Sequence, residues 1–253
     1  MTELIYDAFK EYEITPQYHG ILGGVDHKFM FPNGYGASVI KHAGSYGYEE
    51  DLFELAVLKK CDNNYGYTIC YDTPFTGDVL GHLTNDDVLE LLDNIQYYDE
   101  ATAAKNKELI ECYPFLLPRS RWTDEPSKYY DYSYTELDDM PTGWRIAFGK
   151  QMCEEIREAL IKADCLEEYR IVQIKEKYGS LRWYDSGAPR EVYEIIRKYE
   201  RLSERTCIHC GKPATKISTG WISPFCDECV ENNPYKAYKH YVPIEEWFKE
   251  EEK

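Results

Sequence analysis

The apolar positions change period several times along the chain, and each change predicts an element. Residues 3–12 read as a short amphipathic helix. His27 to Phe31 and Ala37 to His42 flank Pro32-Asn33-Gly34-Tyr35-Gly36, a turn-forming run that predicts a β-hairpin. Leu52 to Lys59 and Tyr67 to Tyr71 flank a second such run, Asp62-Asn63-Asn64-Tyr65-Gly66. Thr84-Asn85-Asp86-Asp87 then offers a helix start with acids in its first turn, and Val88, Leu91, Leu92 and Ile95 follow at helical spacing. Residues 101–113 continue as helix. Four strands between helices predict a sheet covered by helices on one face.

Residues 114–143 are punctuated by Pro114, Pro118, Pro126 and Pro141 and read as irregular. Within them Tyr130, Tyr132 and Tyr134 share one side if the backbone is extended. Such a ladder serves either as a partner-binding surface or as packing against the protein's own core. Trp144, Phe148, Met152, Ile156, Ala159 and Leu160 then mark a helix with one apolar face. Arg170 to Lys177 and Leu181 to Asp185 predict a hairpin around Tyr178-Gly179-Ser180. Val192, Ile195, Ile196, Tyr199 and Leu202 mark a second helix, entered through Pro189. The expected class is α+β: an N-terminal antiparallel sheet with helices, then a helix–hairpin–helix module ending in a Cys₄ zinc ribbon. The expected segments are an acidic α+β module over 1–100, a helix and Tyr/Pro-rich connector over 101–140, the helix–hairpin–helix module over 141–206, and the ribbon with its tail over 207–253. The last four residues, 250–253, are expected to fray.

Charge changes what such a chain can bind. The net charge is −17, and residues 1–100 alone hold 18 Asp/Glu against 5 Lys/Arg. Phosphate backbones repel so acidic a chain over about a Debye length, roughly 8 Å at physiological salt. Direct nucleic-acid binding is therefore disfavoured, and a basic host protein is the expected partner. Glu49, Glu50, Asp51, Glu54, Asp86 and Asp87 are the candidate partner-binding acids, with Tyr130, Tyr132 and Tyr134 beside them. The plainer alternative is that the acidity serves solubility. No apolar run approaches a membrane span, and the charged start lacks the apolar stretch of a signal peptide, so a cytoplasmic protein is expected. In that compartment Cys61, Cys70, Cys112, Cys153 and Cys165 fit reduced thiols. Cys61 and Cys70 could still face each other across the second hairpin.

Candidate chemistry concentrates near the C-terminus. Cys207-Ile-His-Cys210 and Cys226-Asp-Glu-Cys229 present four thiolates at the spacing of a tetrahedral metal site. One structural Zn²⁺ per chain is expected, with iron in the same cage or a redox pair as alternatives. A filled four-thiolate shell leaves no open position for a substrate, which argues against zinc catalysis there. Thr215 to Ile217 and Trp221 to Ser223 predict a small hairpin between the cysteine pairs. Gly211 fits a tight knuckle, Lys212 and Lys216 offset the thiolate charge, and His209 is expected in a solvent-facing loop.

A second constellation lies on the central hairpin. Gln173, Lys175 and Lys177 share a face, and with Arg182 on the return strand they form a candidate anion-binding patch. An ordinary solvated sheet face is the alternative reading. Gln173-Ile174-Lys175-Glu176-Lys177-Tyr178-Gly179, Leu181-Arg182 and the ribbon containing Gly220-Trp221 together resemble a recurrent family of small uncharacterised bacterial and phage proteins over roughly residues 141–230. The run Phe31 to Val39, with Leu55-Ala56-Val57-Leu58, resembles a second small protein type met mainly in phages and mobile elements. Neither resemblance implies an activity. Together they imply a phage- or prophage-encoded accessory protein that works in the host cytoplasm.

Nucleophile elbows, phosphate-cradling glycine loops and zinc-hydrolase helices are not found in the sequence. His19, His27, His42 and His82, with Asp26 and Asp78, leave a metal-assisted enzyme as one alternative. A ribbon module that recognises an anionic ligand or nucleic acid is another. The leading expectation is protein–protein binding, including anti-defence inhibition of the anti-CRISPR kind, in which the acidic module blocks a basic nucleic-acid groove.

Overall fold

The computed structural model describes residues 3–14, 17–18, 23–120, 122–234 and 240–251. It divides the chain into two compact units, one formed by 1–106 with 127–133 and the other by 107–126 with 134–253. The antiparallel sheets and helices are those of an α+β protein.

The first unit is built on a six-stranded antiparallel sheet of β1 (Gln17–Tyr18), β2 (Val25–Met30), β3 (Tyr35–Lys41), β4 (Phe53–Lys60), β5 (Tyr67–Ile69) and β6 (Leu80–Leu83). The strands β1 to β5 lie in sequence order, and β6 joins β4 through Phe53↔Leu83 and Leu55↔Leu80. Alternation sends Phe29, Ala37, Val39, Phe53, Leu55 and Val57 to one core with Val88, Leu91, Leu92 and Ile95 of α1 (Asn85–Tyr97). Thr84 starts that helix with a capping box: its hydroxyl accepts from the Asp87 N–H while the Asp87 carboxylate accepts from the Thr84 N–H. Asn33 ties the first turn to the end of α1 by donating to the Ile95 and Tyr98 carbonyls. The helix α2 (Glu100–Cys112) follows. Tyr129 returns to bury itself in this core.

Three expectations change here. Residues 3–12 form a 3₁₀ helix over Asp7–Tyr12. Cys61 and Cys70 do not face each other: Cys70 N–H bonds Val57 O and Cys61 N–H bonds Gly66 O, so the register separates them along β4, and both are free thiols. The tyrosine ladder does not exist, because Tyr132 has φ +61° and breaks the extended path on which the alternation depended.

In the second unit, α3 (Thr142–Trp144) runs through a π-helical turn at Arg145–Gly149 into α4 (Lys150–Lys162). The hairpin of β7 (Ile171–Lys177) and β8 (Ser180–Asp185) precedes α5 (Arg190–Ser203). Trp144, Phe148, Met152, Ile156 and Leu160 meet Ile174, Leu181, Trp183, Val192, Ile196 and Tyr199 in one buried core. Trp183 Nε1–H donates to the Tyr169 hydroxyl, and Leu181 N–H donates to Ser203 Oγ, so these two donors carried inside are paired. The chain closes with β9 (Lys216–Ser218), β10 (Ser223–Phe225), α6 (Asp227–Glu231), β11 (Tyr241–Pro243) and α7 (Ile244–Glu251).

Candidate metal centre and binding surfaces

Two short backbone devices aim the four cysteines at one point. The first knuckle is closed by Gly211 N–H bonding Cys207 O at 3.0 Å, with Gly211 at φ +78°, a conformation for which glycine has no steric penalty. The second is the start of α6: Cys226 is its cap, and the first turn carries Cys229 back beside it. Ile208 N–H to Pro224 O, at 3.0 Å, laces the knuckles together. The strands between the cysteine pairs lie later than expected, at 216–218 and 223–225, and Trp221 belongs to the turn. The third strand, β11, pairs with β9 on its other edge.

The result is a set of four sulfurs within 4.8 Å of one another, with Cys210 Sγ and Cys226 Sγ 3.5 Å apart. A tetrahedral metal–thiolate bond of about 2.3 Å places sulfurs about 3.8 Å apart, so this set could hold one metal ion. Cys207 and Cys226 are buried, and Cys210 and Cys229 are half-buried. Burial, followed by hydrogen bonding to the neighbouring thiols, raises the Cys229 thiol well above its ordinary value. Thiols this crowded would ionise together only with a cation among them. Lys212 and Lys216 are paired to Glu228 and Asp227, both in the first turn of α6, and tie the second knuckle to the first and to β9 respectively. His209 is exposed in its loop, with its ring 5.1 Å from Phe225.

The first knuckle also docks on the helix that begins at Thr142. Gly143 N–H donates to Ile208 O at 2.8 Å, and Trp144 Nε1–H donates to Thr206 O at 2.9 Å. A Cβ on Gly143 would lie 2.2 Å from Cys207 O, and one on Gly211 would lie 2.6 Å from Gly143 O. The two glycines thus allow backbone to meet backbone. The π turn that follows includes Ala147, whose own Cβ would be 3.1 Å from a Cβ placed on Gly211.

The acidic candidates fall into two groups. Asp51 accepts from the buried Lys41 ammonium at 2.9 Å, Glu54 accepts from Tyr46 N–H, Glu50 meets His82 Nδ1 at 2.7 Å, and Asp87 holds Thr84, Lys128 and Tyr129. Glu49 and Asp86 are exposed. The two stretches converge, because His82 N–H bonds Tyr46 O and Phe53 pairs with Leu83 at one end of the sheet. Among the tyrosines, Tyr130 and Tyr132 are half-buried with rings 4.9 Å apart in the first unit. Tyr134 belongs to the second unit, where burial and the Asp139 carboxylate raise its phenol.

On the central hairpin the register sets Lys175 opposite Arg182 and Gln173 opposite Tyr184. Lys175 donates to Gln173 Oε1, and the Arg182 guanidinium turns to Ser180 Oγ and Leu181 O. The N-terminal histidines stay apart. His27 meets Glu13, His42 Nδ1 accepts from Gly44 N–H, His82 meets Glu50, and His19 lies outside the described residues. Asp26 is held by Ser38 and Lys28, and Asp78 N–H bonds Thr76 Oγ1. Among the described residues, the four cysteines are the set of His, Cys, Asp and Glu side chains gathered closely enough to share an ion. No helix among those residues is long and apolar enough to cross a membrane. Comparison with family models, with curated proteins and with solved structures finds no match to this chain.

Proposed function

We propose that this chain is a binding protein that presents the acidic end of its first unit to a basic surface on a partner, with one structural Zn²⁺ in the cysteine cage holding the end of the second unit. The observation that carries the reading is the convergence of the 45–51 loop and the start of α1 at one end of the sheet. It occurs in a unit whose residues hold 19 Asp/Glu against 7 Lys/Arg, a net of −12. Such a field attracts a basic groove over distance and sets association rate and specificity more than raw affinity. Glu49, Glu50 and Asp86 are exposed here, Glu50 beside His82; Asp51 and Asp87 hold the end in shape. The sequence resemblances are the support for a phage or prophage context, in which basic nucleic-acid-binding enzymes of the host, defence nucleases included, would be the targets. Zinc is favoured because four thiolates in a closed tetrahedron suit a soft-tolerant ion with no geometric preference of its own.

The test is a pull-down from bacterial lysate at low and high salt, using wild type and the Glu49→Lys/Asp86→Lys double variant. A basic protein recovered by the wild type at low salt, and lost with the variant, is expected. A partner retained equally by the charge-reversed protein and at high salt would refute the electrostatic reading. Metal analysis of the purified protein should find one zinc per chain.

A further inference from the structure

The two exposed aromatic turns of the second unit meet, and the acidic surface does not account for them. Tyr178-Gly179 is a two-residue loop between Lys177 and Ser180, with φ +56° and +78°, the type I′ hairpin turn. That turn prefers Asn or Gly at its first position. A tyrosine held in the left-handed region is disfavoured by roughly 1 kcal/mol or more. Its side chain is nonetheless 73% exposed, so it gains little from packing. A turn that accepts strain to display a ring is a candidate recognition element. The neighbouring surface is the turn of the ribbon: a Cβ built on Gly179 would lie 3.0 Å from Ile222 Cγ2, and Trp221, the residue before Ile222, is 76% exposed. The Lys177 ammonium sits 5.4 Å from the Tyr178 ring centroid. Lys175 follows Lys177 on the same face, opposite Arg182. Glu176 points to the opposite face and is occupied by the Gly179 N–H.

We infer that this paired turn is a docking surface for a single-stranded nucleic acid, with bases stacking on Tyr178 and Trp221 and phosphates meeting Lys177 and Lys175. Flat rings displayed on rigid turns beside a short row of cations are the combination that single strands use. The second unit has a net charge of −5, much less than the first, and screening over about 8 Å leaves the local cations to decide. Two or three phosphate contacts imply a log–log salt slope of about −2 or shallower, hence a loss of up to about sixteen-fold between 50 and 200 mM salt.

The experiment is fluorescence anisotropy of a labelled oligothymidine of about 15 nucleotides titrated with the full chain. Binding with that salt slope is expected, weakened about five-fold or more by Trp221→Ala and by Tyr178→Asn. The asparagine variant is the decisive control. It suits the turn better than tyrosine, so its unfolding midpoint should rise while binding falls, which a merely structural role for Tyr178 would not produce. Three results would overturn the proposal: no anisotropy change up to about 100 µM protein, wild-type affinity in Tyr178→Asn, or equal competition by an oligoglutamate peptide, which would assign the surface to acidic protein segments.

Discussion

Replacing Gly143 by alanine tests whether the metal knuckle belongs to the core of its unit. In an unencumbered helix the change would stabilise by about 1 kcal/mol, because glycine is the poorer helix former. Here the added Cβ would sit 2.2 Å from Cys207 O and 2.6 Å from the Ile208 carbonyl carbon. Carbon–oxygen contacts close at about 3.3 Å, so the knuckle and the helix must separate by about 1 Å. That separation strains the Gly143 N–H to Ile208 O bond, worth about 1 kcal/mol net. It also threatens the Trp144 Nε1–H to Thr206 O bond, whose buried donor costs about 1–3 kcal/mol if left unpaired. Set against the propensity gain, the expected outcome is a destabilisation of about 1–3 kcal/mol, with weaker metal retention because the first cysteine pair moves. Urea unfolding followed by circular dichroism gives the stability, and competition with a chromophoric chelator gives the metal affinity. A midpoint equal to or above wild type, with unchanged chelator competition, would refute the docked-knuckle account, since only an unobstructed Gly143 could give that sign.

Further outcomes follow from other sites. Chelation, or Cys226→Ser, should melt the strands β9 and β10 and lower the thermal midpoint, because metal binding in small thiolate modules supplies much of the folding energy; an unchanged melt in excess chelator would contradict this. Asp51→Ala should cost about 2 kcal/mol by removing the carboxylate 2.9 Å from the Lys41 ammonium, which is 2% exposed, whereas Glu49→Ala should stay within about 0.5 kcal/mol in the same denaturation assay. Burial works to raise the Asp87 carboxyl, but hydrogen bonds from Thr84, Lys128 and Tyr129 outweigh it and hold the group well below the usual carboxylate range. The sign follows: its contribution is complete above the unfolded pKa, about 3.9, and is lost as pH falls toward the lower folded value. Asp87→Asn should therefore flatten the acid limb of a stability-against-pH curve, and an identical limb in the variant would show that other groups carry it.

What the sequence revealed depended on how local the deciding force was. The strands β2 to β5 were legible because alternating positions flank runs rich in Asn and Gly, and α1 because its cap and apolar stripe lie in one stretch. The cysteine cage was legible for the same reason: ligand spacing is a local property. The strand β6 was not, since Leu80-Gly81-His82-Leu83 has no clean alternation and His82 sits at φ +56°; only the partner β4 makes it a strand. The strand β11 ends in a proline and exists because β9 offers it an edge. The π turn at 145–149 lies beside Gly211, some sixty positions later in the chain, and no periodicity within the helix announces such a neighbour. Nor did composition separate acids that hold the fold, such as Asp51 and Asp87, from those that face outward, such as Glu49 and Asp86. That division rests on the positions of Lys41, Lys128 and Tyr129.

The first unit is not a continuous stretch of chain. Residues 127–133 return to it after an excursion, bringing Tyr129 into its core and Lys128 to Asp87. A ribosome that has released only residues 1–106 has therefore released an incomplete body with a hole where a tyrosine belongs. Its folding must wait for the segment after Pro126 to emerge, by which time part of the second unit has also been made. Gene fragments cut at the apparent border after residue 106 should give a poorly soluble product, and a shuffled or truncated version of this protein has to carry residues 127–133 together with 1–106.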